Sequence, residues 1–428
     1  MWNAYDKKVL LITGGTGFLG TTLLYRLLTE ATPARVYVLC RGGRKRAFER
    51  WLEHLPMPIF QPVFQAANSI AVLDGDITQP RMGLSESDWK NLGISVHIVV
   101  HAASSINLMS RLPAMSKSII IPTVSLAGLA LDFVNLERFV YISSAYSNSH
   151  LWKPQAPATD VVVREKIYSL GGDTEDWAQS ALKAWEEIQA RASSTEYESQ
   201  DLFPWAYGYA KHLTERLLVH RFSEAGASDK LLIIRPSIMG PACEFPFPGF
   251  CVPSSTPFFT VTAMIIPDPG REIVFNSRLK DPYHEATLDE VPIDVVADRL
   301  WAHLALGTTE FVHAVSGKAH RWHCRDWWPV IMKERVLPWK PRMVFEPLDW
   351  QSPRQHPAAR LGGVVGTSFD FVEDKTRLLA ELLSTQDHQL RLFTKPRVFS
   401  FGTARDYMRA LVRAKAERKT PSKLRANL

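Results

Sequence analysis

The chain has 428 residues, 46% of them hydrophobic and 22% charged, with 23 glycines and 28 prolines. At about 150 residues per domain this is two to three domains, or one large α/β unit with a smaller cap, and the composition excludes disordered, collagenous and disulfide-scaffold chains. A formal charge of +6 permits an anionic ligand but does not call for nucleic acid.

The N-terminus, MWNAYDKKVLL, carries no charged-then-apolar leader pattern, and a strand is predicted at once over Val9–Thr13. That strand runs into Thr13-Gly14-Gly15-Thr16-Gly17-Phe18-Leu19-Gly20, and the helical pattern FLGTTLLYRLLTE follows. Strand, glycine turn and helix in this order form the setting of a dinucleotide phosphate cradle. Gly14 allows the tight turn, Gly17 lets backbone approach a pyrophosphate, and Gly20 permits close packing, while the helix N-terminus offers its free N–H groups to phosphate.

A second strand, Val36–Leu39, leads into Cys40-Arg41-Gly42-Gly43-Arg44-Lys45-Arg46. An acidic residue near this place would hold a ribose 2′-hydroxyl; Arg41 and the basic run suit a 2′-phosphate, and so NADPH. After the third strand, Ile70–Leu73, Asp76 is placed either to reach an adenine or to form a turn. Strands over Val96–Val100, Phe139–Ser143 and Leu231–Arg235 follow, with a helix over Pro122–Val134 before the second of them. Each strand is a nearly continuous apolar run, as expected where both faces are covered. The predicted fold is α/β, a doubly wound parallel Rossmann sheet with a smaller, mostly C-terminal substrate cap. The expected division is an NADP-binding domain over 1–235, with returning elements near 285–315, and a cap and helical region over 236–428.

Residues 147–200 read as an insertion with its own helix, and Phe245–Pro267 as an uncharged stretch broken by Pro246, Pro248, Pro253, Pro257 and Pro267. The latter is either an acyl-chain lid or ordinary cap packing. No membrane-spanning helix is expected, since the apolar run Ile119–Leu131 is too short and ends at Asp132. Cys40, Cys243, Cys251 and Cys324 form no CxxC spacing and suit a reducing compartment. His320, His323 and Cys324 have tryptophans for neighbours and no evident fourth ligand, so no metal is expected. Arg405, Arg409, Arg413, Lys415, Arg418, Lys419, Lys423 and Arg425 make the tail basic, the pattern of a solvated helix end.

Two features carry chemistry. In Tyr207-Gly208-Tyr209-Ala210-Lys211 the first and last residues lie four apart on a predicted helix and share a face. A phenol with a pKa near ~10 needs a neighbouring cation to work as an acid–base group, and Lys211 is expected to supply it and to bind a nicotinamide ribose. Ser144, at the C-terminal end of the fifth strand, stands where doubly wound sheets bind ligands and can donate to a developing oxyanion. A serine capping a turn is the alternative reading, and Ser143 next to it points to the other face.

Thr13–Gly20, Arg41, Ser143–Tyr146 and Tyr207–Lys211 together resemble the extended short-chain dehydrogenase/reductases. HAASSIN (His101–Asn107), SSAYSN (Ser143–Asn148), REKIYS (Arg164–Ser169), IIRPSIMGP (Ile233–Pro241), EFPFPGF (Glu244–Phe250) and DEVPIDVVAD (Asp289–Asp298) narrow the resemblance. Together they are similar to the fatty acyl-CoA reductase (male-sterility) branch and the related thioester reductase domains, over about residues 8 to 315. The resemblance implies NADPH-dependent reduction of an acyl thioester, carried by coenzyme A or a carrier protein, to an aldehyde and in some members on to an alcohol. It implies Ser144, Tyr207 and Lys211 as the catalytic set. The implied cofactor contacts are Thr13, Gly14, Thr16, Gly17, Phe18, Leu19, Gly20, Arg41, Arg44, Asp76, Ile77, His101, Ala102, Ala103, Tyr207, Lys211, Pro236, Ser237 and Ile238.

Two departures stand out. Extended reductases often carry an asparagine in an N-V-x-G-T pattern; counting back from Thr123, Ile119 takes that place and Pro122 takes the glycine's. Residues 320–428 do not match the family's usual C-terminal domain. Two other readings stay open: an NADP-dependent ketone/alcohol oxidoreductase or epimerase of a steroid- or polyketide-like metabolite, and a non-catalytic NADP-binding protein. Cytosol is the expected location, with the peroxisome as an alternative because Ala426-Asn427-Leu428 loosely resembles the S-K-L address.

Overall fold

The computed structural model describes residues 1–152, 160–171, 176–199, 202–335, 337–383 and 389–395. The basic tail and Ala426-Asn427-Leu428 lie outside the described residues, as does part of the 147–200 segment. The described chain divides into two compact units, the first comprising Met1–Val252, Asp289–Arg321 and Phe369–Lys395. That unit takes in 236–252, 316–321 and 369–395 beyond the expected ranges, and 285–288 falls in the second unit instead.

The first unit is built on seven parallel strands: β1 Val9–Thr13, β2 Arg35–Cys40, β3 Ile70–Asp74, β4 Ile98–His101, β5 Arg138–Ile142, β6 Leu231–Pro236 and β7 Glu310–Ala314. Their order is β7-β6-β5-β4-β1-β2-β3, which reverses direction at β1. This is the predicted doubly wound sheet, and its reversal point puts the C-terminal ends of β1, β4 and β5 on one edge. Period-two alternation explains the two layers of core. Leu10 and Ile12 of β1 face one side, with Leu23 and Leu24 of helix α1 (Phe18–Glu30), whereas Leu11 faces the other, with Val99 and Phe139. The strand β7 was not predicted; its sequence EFVHA is short and begins on an exposed glutamate.

Helix α2 (Gly43–His54) follows β2 and buries only Ala47 and Trp51, residues four apart on one stripe. Next comes α3, Leu112–Leu131, twenty residues long where the sequence suggested a shorter run. By length and composition it could cross a membrane, so the expectation that no segment was long enough does not hold; 56% of its most apolar window is buried within the protein. Its middle turn, Ser116–Ile120, is π-helical, with the Ile121 N–H donating to the Ser116 carbonyl. Pro122, which lacks an N–H, sits where the normal register would resume, a sufficient reason for the wider turn. Ile119 is buried in an apolar cluster with Met115 and Val124, and so holds no proton-relay group. The insertion carries its predicted helix, α4 (Trp177–Arg191), followed by α5 (Ala206–Glu224) and α6 (Ile293–Ala305).

Part of the apolar stretch proposed as a lid is core in this unit. Phe245 and Phe250 are buried, Phe250 against Phe18 at a ring distance of 5.6 Å and Phe245 stacked on Tyr25 at 6.3 Å.

The second unit, whose described residues include 253–288, 322–335 and 337–368, pairs Glu272–Asn276 in parallel with Arg342–Glu346. Its core is aromatic, with Trp327 edge-on to Phe258 at 5.4 Å. Arg335 donates to the carbonyls of Ile265 and Asp268, closing the end of the Pro257–Ile265 helix. His323 caps a helix in a reciprocal arrangement with Asp326, and the Cys324 thiol lies against the Val365 carbonyl.

Candidate functional site

The glycine turn after β1 is shaped for close backbone approach. Gly14 has φ +73°, and a Cβ there would lie 2.7 Å from the carbonyl carbon of Ala102 and the nitrogen of Ala103. A Cβ on Gly20 would meet the Gly14 carbonyl oxygen at 2.1 Å. Gly17 caps α1 without any side-chain hydrogen bond, leaving the first-turn N–H groups and the positive end of the helix dipole toward the turn. In front of it opens a cavity of about 440 Å³. Of the expected cofactor contacts, Gly14, Thr16, Gly17, Arg41, Asp76, Ile77, Ala102 and Ala103 line it.

Others stand behind the wall. Thr13 is fully buried and accepts a bond from the Ala103 N–H. His101, expected to touch the cofactor, has one ring nitrogen 2.7 Å from the Thr13 hydroxyl and the other 2.9 Å from that of Thr123. Burial, helped by the Lys211 charge, pushes its pKa down to about 3, so it is a neutral clamp beneath the cradle. Phe18 and Leu19 face the core, and Gly20 packs on the turn. Arg44 is exposed, lies over the Phe48 ring at 4.4 Å and is not among the residues lining the cavity. Pro236 ends β6, the Ser237 hydroxyl donates to Asp289 at 2.5 Å, and the Ile238 N–H donates to the Asp289 carbonyl; none of the three lines this cavity.

Arg50 was missed. It lies on α2 one turn beyond Arg46, lines the cavity, and donates to the Thr16 hydroxyl at 3.4 Å. Its neighbour Trp51 donates to the Gly15 carbonyl at 3.1 Å and so ties α2 to the phosphate turn. The signal was helical spacing from the basic run, four residues on from Arg46. Arg41 is mostly exposed, 3.8 Å from Asp76. Asp76 takes up its turn-forming alternative as well as lining the cavity: its carboxylate accepts the Thr78 N–H and hydroxyl, both at 2.9 Å, which holds its pKa below the usual carboxylate range. Two arginines, a cramped glycine turn and an open helix end fit a nicotinamide dinucleotide. A methyl group at Gly14 would clash with the Ala102–Ala103 backbone and strain a φ of +73°, displacing the turn, so Gly14→Ala is expected to raise the dinucleotide Kd at least ~10-fold, as read by titration of cofactor fluorescence.

At the same sheet edge, β5 ends at Ile142 and leads to Ser143 and Ser144. Tyr207 and Lys211 lie one turn apart on α5. Burial pushes the Tyr207 phenol above its ordinary value, and the Ser144 side chain opposes that shift. Lys211 is 1% exposed; its ammonium donates to the Ile142 carbonyl at 2.7 Å and lies 5.7 Å from the Tyr207 ring centre. Burial lowers it to about 7, opposed by Glu215. The expectation that Lys211 makes the phenol acidic is therefore not met: what opposes the burial of Tyr207 is the Ser144 hydroxyl. The phenol is a neutral donor at physiological pH. A carbonyl oxygen set against Ser144 and Tyr207 would receive two hydrogen bonds, the arrangement that stabilises a developing oxyanion.

The Male sterility protein profile matches residues 12–300, and the chain belongs to this family of NAD-binding domains. Fatty acyl-CoA reductase 1 of Homo sapiens is 30% identical over 305 residues, covering 69% of this chain and 54% of that relative. The protein of the same name from Xenopus laevis is 28% identical over 301 residues, with the same coverage. The chain thus spans about half the length of these curated relatives. Among solved structures, the terminal R domain from the myxalamid PKS-NRPS biosynthetic pathway superposes with a TM-score of 0.61 at 18% identity, covering 95% of this chain and 91% of that one. That likeness extends to the fold, an α/β dinucleotide-binding architecture with a nicotinamide cofactor as the family's ligand.

Proposed function

We propose that the protein is an NADPH-dependent reductase of acyl thioesters, the acyl group being presented on coenzyme A or on a carrier protein. The observation that carries this is the gathering of Ser144, Tyr207 and the buried Lys211, whose ammonium donates to the Ile142 carbonyl at 2.7 Å, at the sheet edge that also bears the glycine turn. Gly14, Thr16, Gly17, Arg41 and Arg50 would hold a nicotinamide cofactor, which would supply the hydride for reduction of the thioester carbonyl. Ser144 and Tyr207 hold the carbonyl oxygen, and the neutral Tyr207 gives its proton as negative charge develops there. Collapse of the resulting hemithioacetal breaks the C–S bond and yields an aldehyde and a free thiol. The same two hydroxyls suit the aldehyde carbonyl, so a second hydride would give the alcohol. Relatives named fatty acyl-CoA reductase favour this over a ketone reductase or epimerase. The test is purified protein with NADPH and acyl-CoAs of several lengths, measuring cofactor oxidation and thiol release together. Turnover with free carbonyl compounds and none with a thioester would reject the proposal.

The preference for the phosphorylated cofactor rests on Arg41. A charge-assisted bond of ~1.5 kcal/mol predicts that Arg41→Ala weakens NADPH binding about 10-fold and leaves NADH within about twofold. Equal losses for both would show that Arg41 does not meet the 2′-phosphate.

The pH dependence follows from Lys211, whose proton is held with a pKa of about 7. The ammonium is charged below that value and neutral above it, while the raised phenol stays protonated across the range. Thioester reduction is expected to decline as pH rises through ~7, because the ammonium 5.7 Å from the Tyr207 ring centre is the positive charge that favours the phenolate left after proton transfer; the readout is kcat/KM against pH.

A further inference from the structure

Tyr207, Lys211 and Glu215 form one stripe along α5, each four residues from the next, and only the first two have been given work. Glu215 is fully buried, and its carboxylate accepts four hydrogen bonds from three different elements. Ser143 donates to it from the end of β5, and Ser147 from the short helical segment after β5 at 3.0 Å. Arg235 donates from β6 through Nε at 3.0 Å and Nη2 at 2.6 Å. Ser143 immediately precedes Ser144 and Ser147 is three residues beyond it, so one carboxylate holds the turn on both sides of the oxyanion donor.

Glu215 lies one helical turn beyond Lys211 on α5, and its negative charge opposes the loss of the Lys211 proton. The charged and titratable groups around that ammonium are His101 of β4, held neutral; Tyr141 of β5, whose ring centre is 4.7 Å away; Tyr207; and Glu215. Arg235 shares Glu215 but is itself held over the Phe311 ring at 4.0 Å. A buried ammonium whose only hydrogen-bond partner among the described residues is a carbonyl loses hydration that one dipole cannot replace, and a nearby anion offsets the loss.

We propose that Glu215 is a positioning residue of this site. Through Ser143 and Ser147 it sets the turn that carries Ser144, and its carboxylate is the counter-charge that keeps Lys211 an ammonium. The first role rests on the reductase reading above; the charge relation does not.

The test uses the full chain with ¹³Cε-labelled lysine, free of cofactor, with the Lys211 resonance assigned through Lys211→Arg. Glu215→Gln keeps the side chain's size and removes its charge. Its Lys211 is expected to titrate with about tenfold lower proton affinity than in the wild type. If Glu215→Gln does not fold, Glu215→Asp withdraws the charge by one methylene and is expected to lower the affinity about threefold. An unmoved Lys211 midpoint in whichever variant folds overturns the proposal. In turnover, the pH above which Glu215→Gln loses activity should fall in step with its Lys211 midpoint, whereas a purely structural defect would lower activity equally at every pH and overturn the positioning role. A wild type that reduces no thioester while the resonance still shifts would refute only the reductase reading.

Discussion

Tyr207→Phe is expected to lower thioester turnover by ~10²–10⁴-fold while cofactor affinity and melting temperature stay close to wild type. The effect is large because the hydroxyl has two duties at one atom, donating to the carbonyl oxygen and releasing the proton that completes reduction. The structural cost is small. The ring remains packed against the apolar cluster that includes Leu213 and Phe203, and the loss is one hydroxyl, worth about 1 kcal/mol. Single-turnover cofactor oxidation, read beside fluorescence titration of the bound dinucleotide, separates chemistry from binding. Retention of more than a tenth of wild-type turnover would mean that the proton comes from elsewhere. Tyr209, two residues on, is the natural control, because its hydroxyl lies 2.6 Å from that of Ser194 and 2.7 Å from the Glu196 carboxylate. Tyr209→Phe should therefore affect stability rather than chemistry.

Gly20→Ala is expected to abolish dinucleotide binding and to destabilise the first unit by on the order of 3 kcal/mol. The added methyl would stand 2.1 Å from the Gly14 oxygen, 2.6 Å from the Gly15 Cα and 2.8 Å from the Gly14 carbonyl carbon, all backbone atoms of the phosphate turn. No rotamer change relieves such contacts; either α1 or the turn must move. Gly17→Ala is the informative partner. Its methyl would meet only the Gly14 oxygen, at 3.2 Å, which a shift of a few tenths of an ångström can absorb. Thermal unfolding and cofactor titration of both variants should separate them widely, and similar behaviour would mean that the turn is more pliable than its geometry implies.

Much of the site was legible because it is local. The glycine turn, the Tyr207–Lys211 spacing and Ser144 at a strand end each depend on a few neighbouring residues, and strand–turn–helix order fixes where they point. The misreadings share a different cause. Helix α3 extends back to Leu112 because a π-helical turn carries it past Pro122, a register change that residue-by-residue periodicity does not anticipate. His101 lies inside a motif shared with the family, yet two threonines distant in sequence, Thr13 and Thr123, close around its ring. Arg44 and Arg50 are both basic residues of α2, and only the packing of Trp51 under the turn decides which of them meets the cavity.

Sequence alone therefore determined the doubly wound class, the glycine turn and the trio proposed to react, since strand and helix periods and glycine spacing are short-range properties of the backbone. Tertiary structure alone decided the charge states. Whether a phenol is acidic or a lysine stays protonated depends on which groups are buried around it, and Glu215 and Arg235, twenty residues apart in the chain, become partners only when α5 is laid against the end of β6.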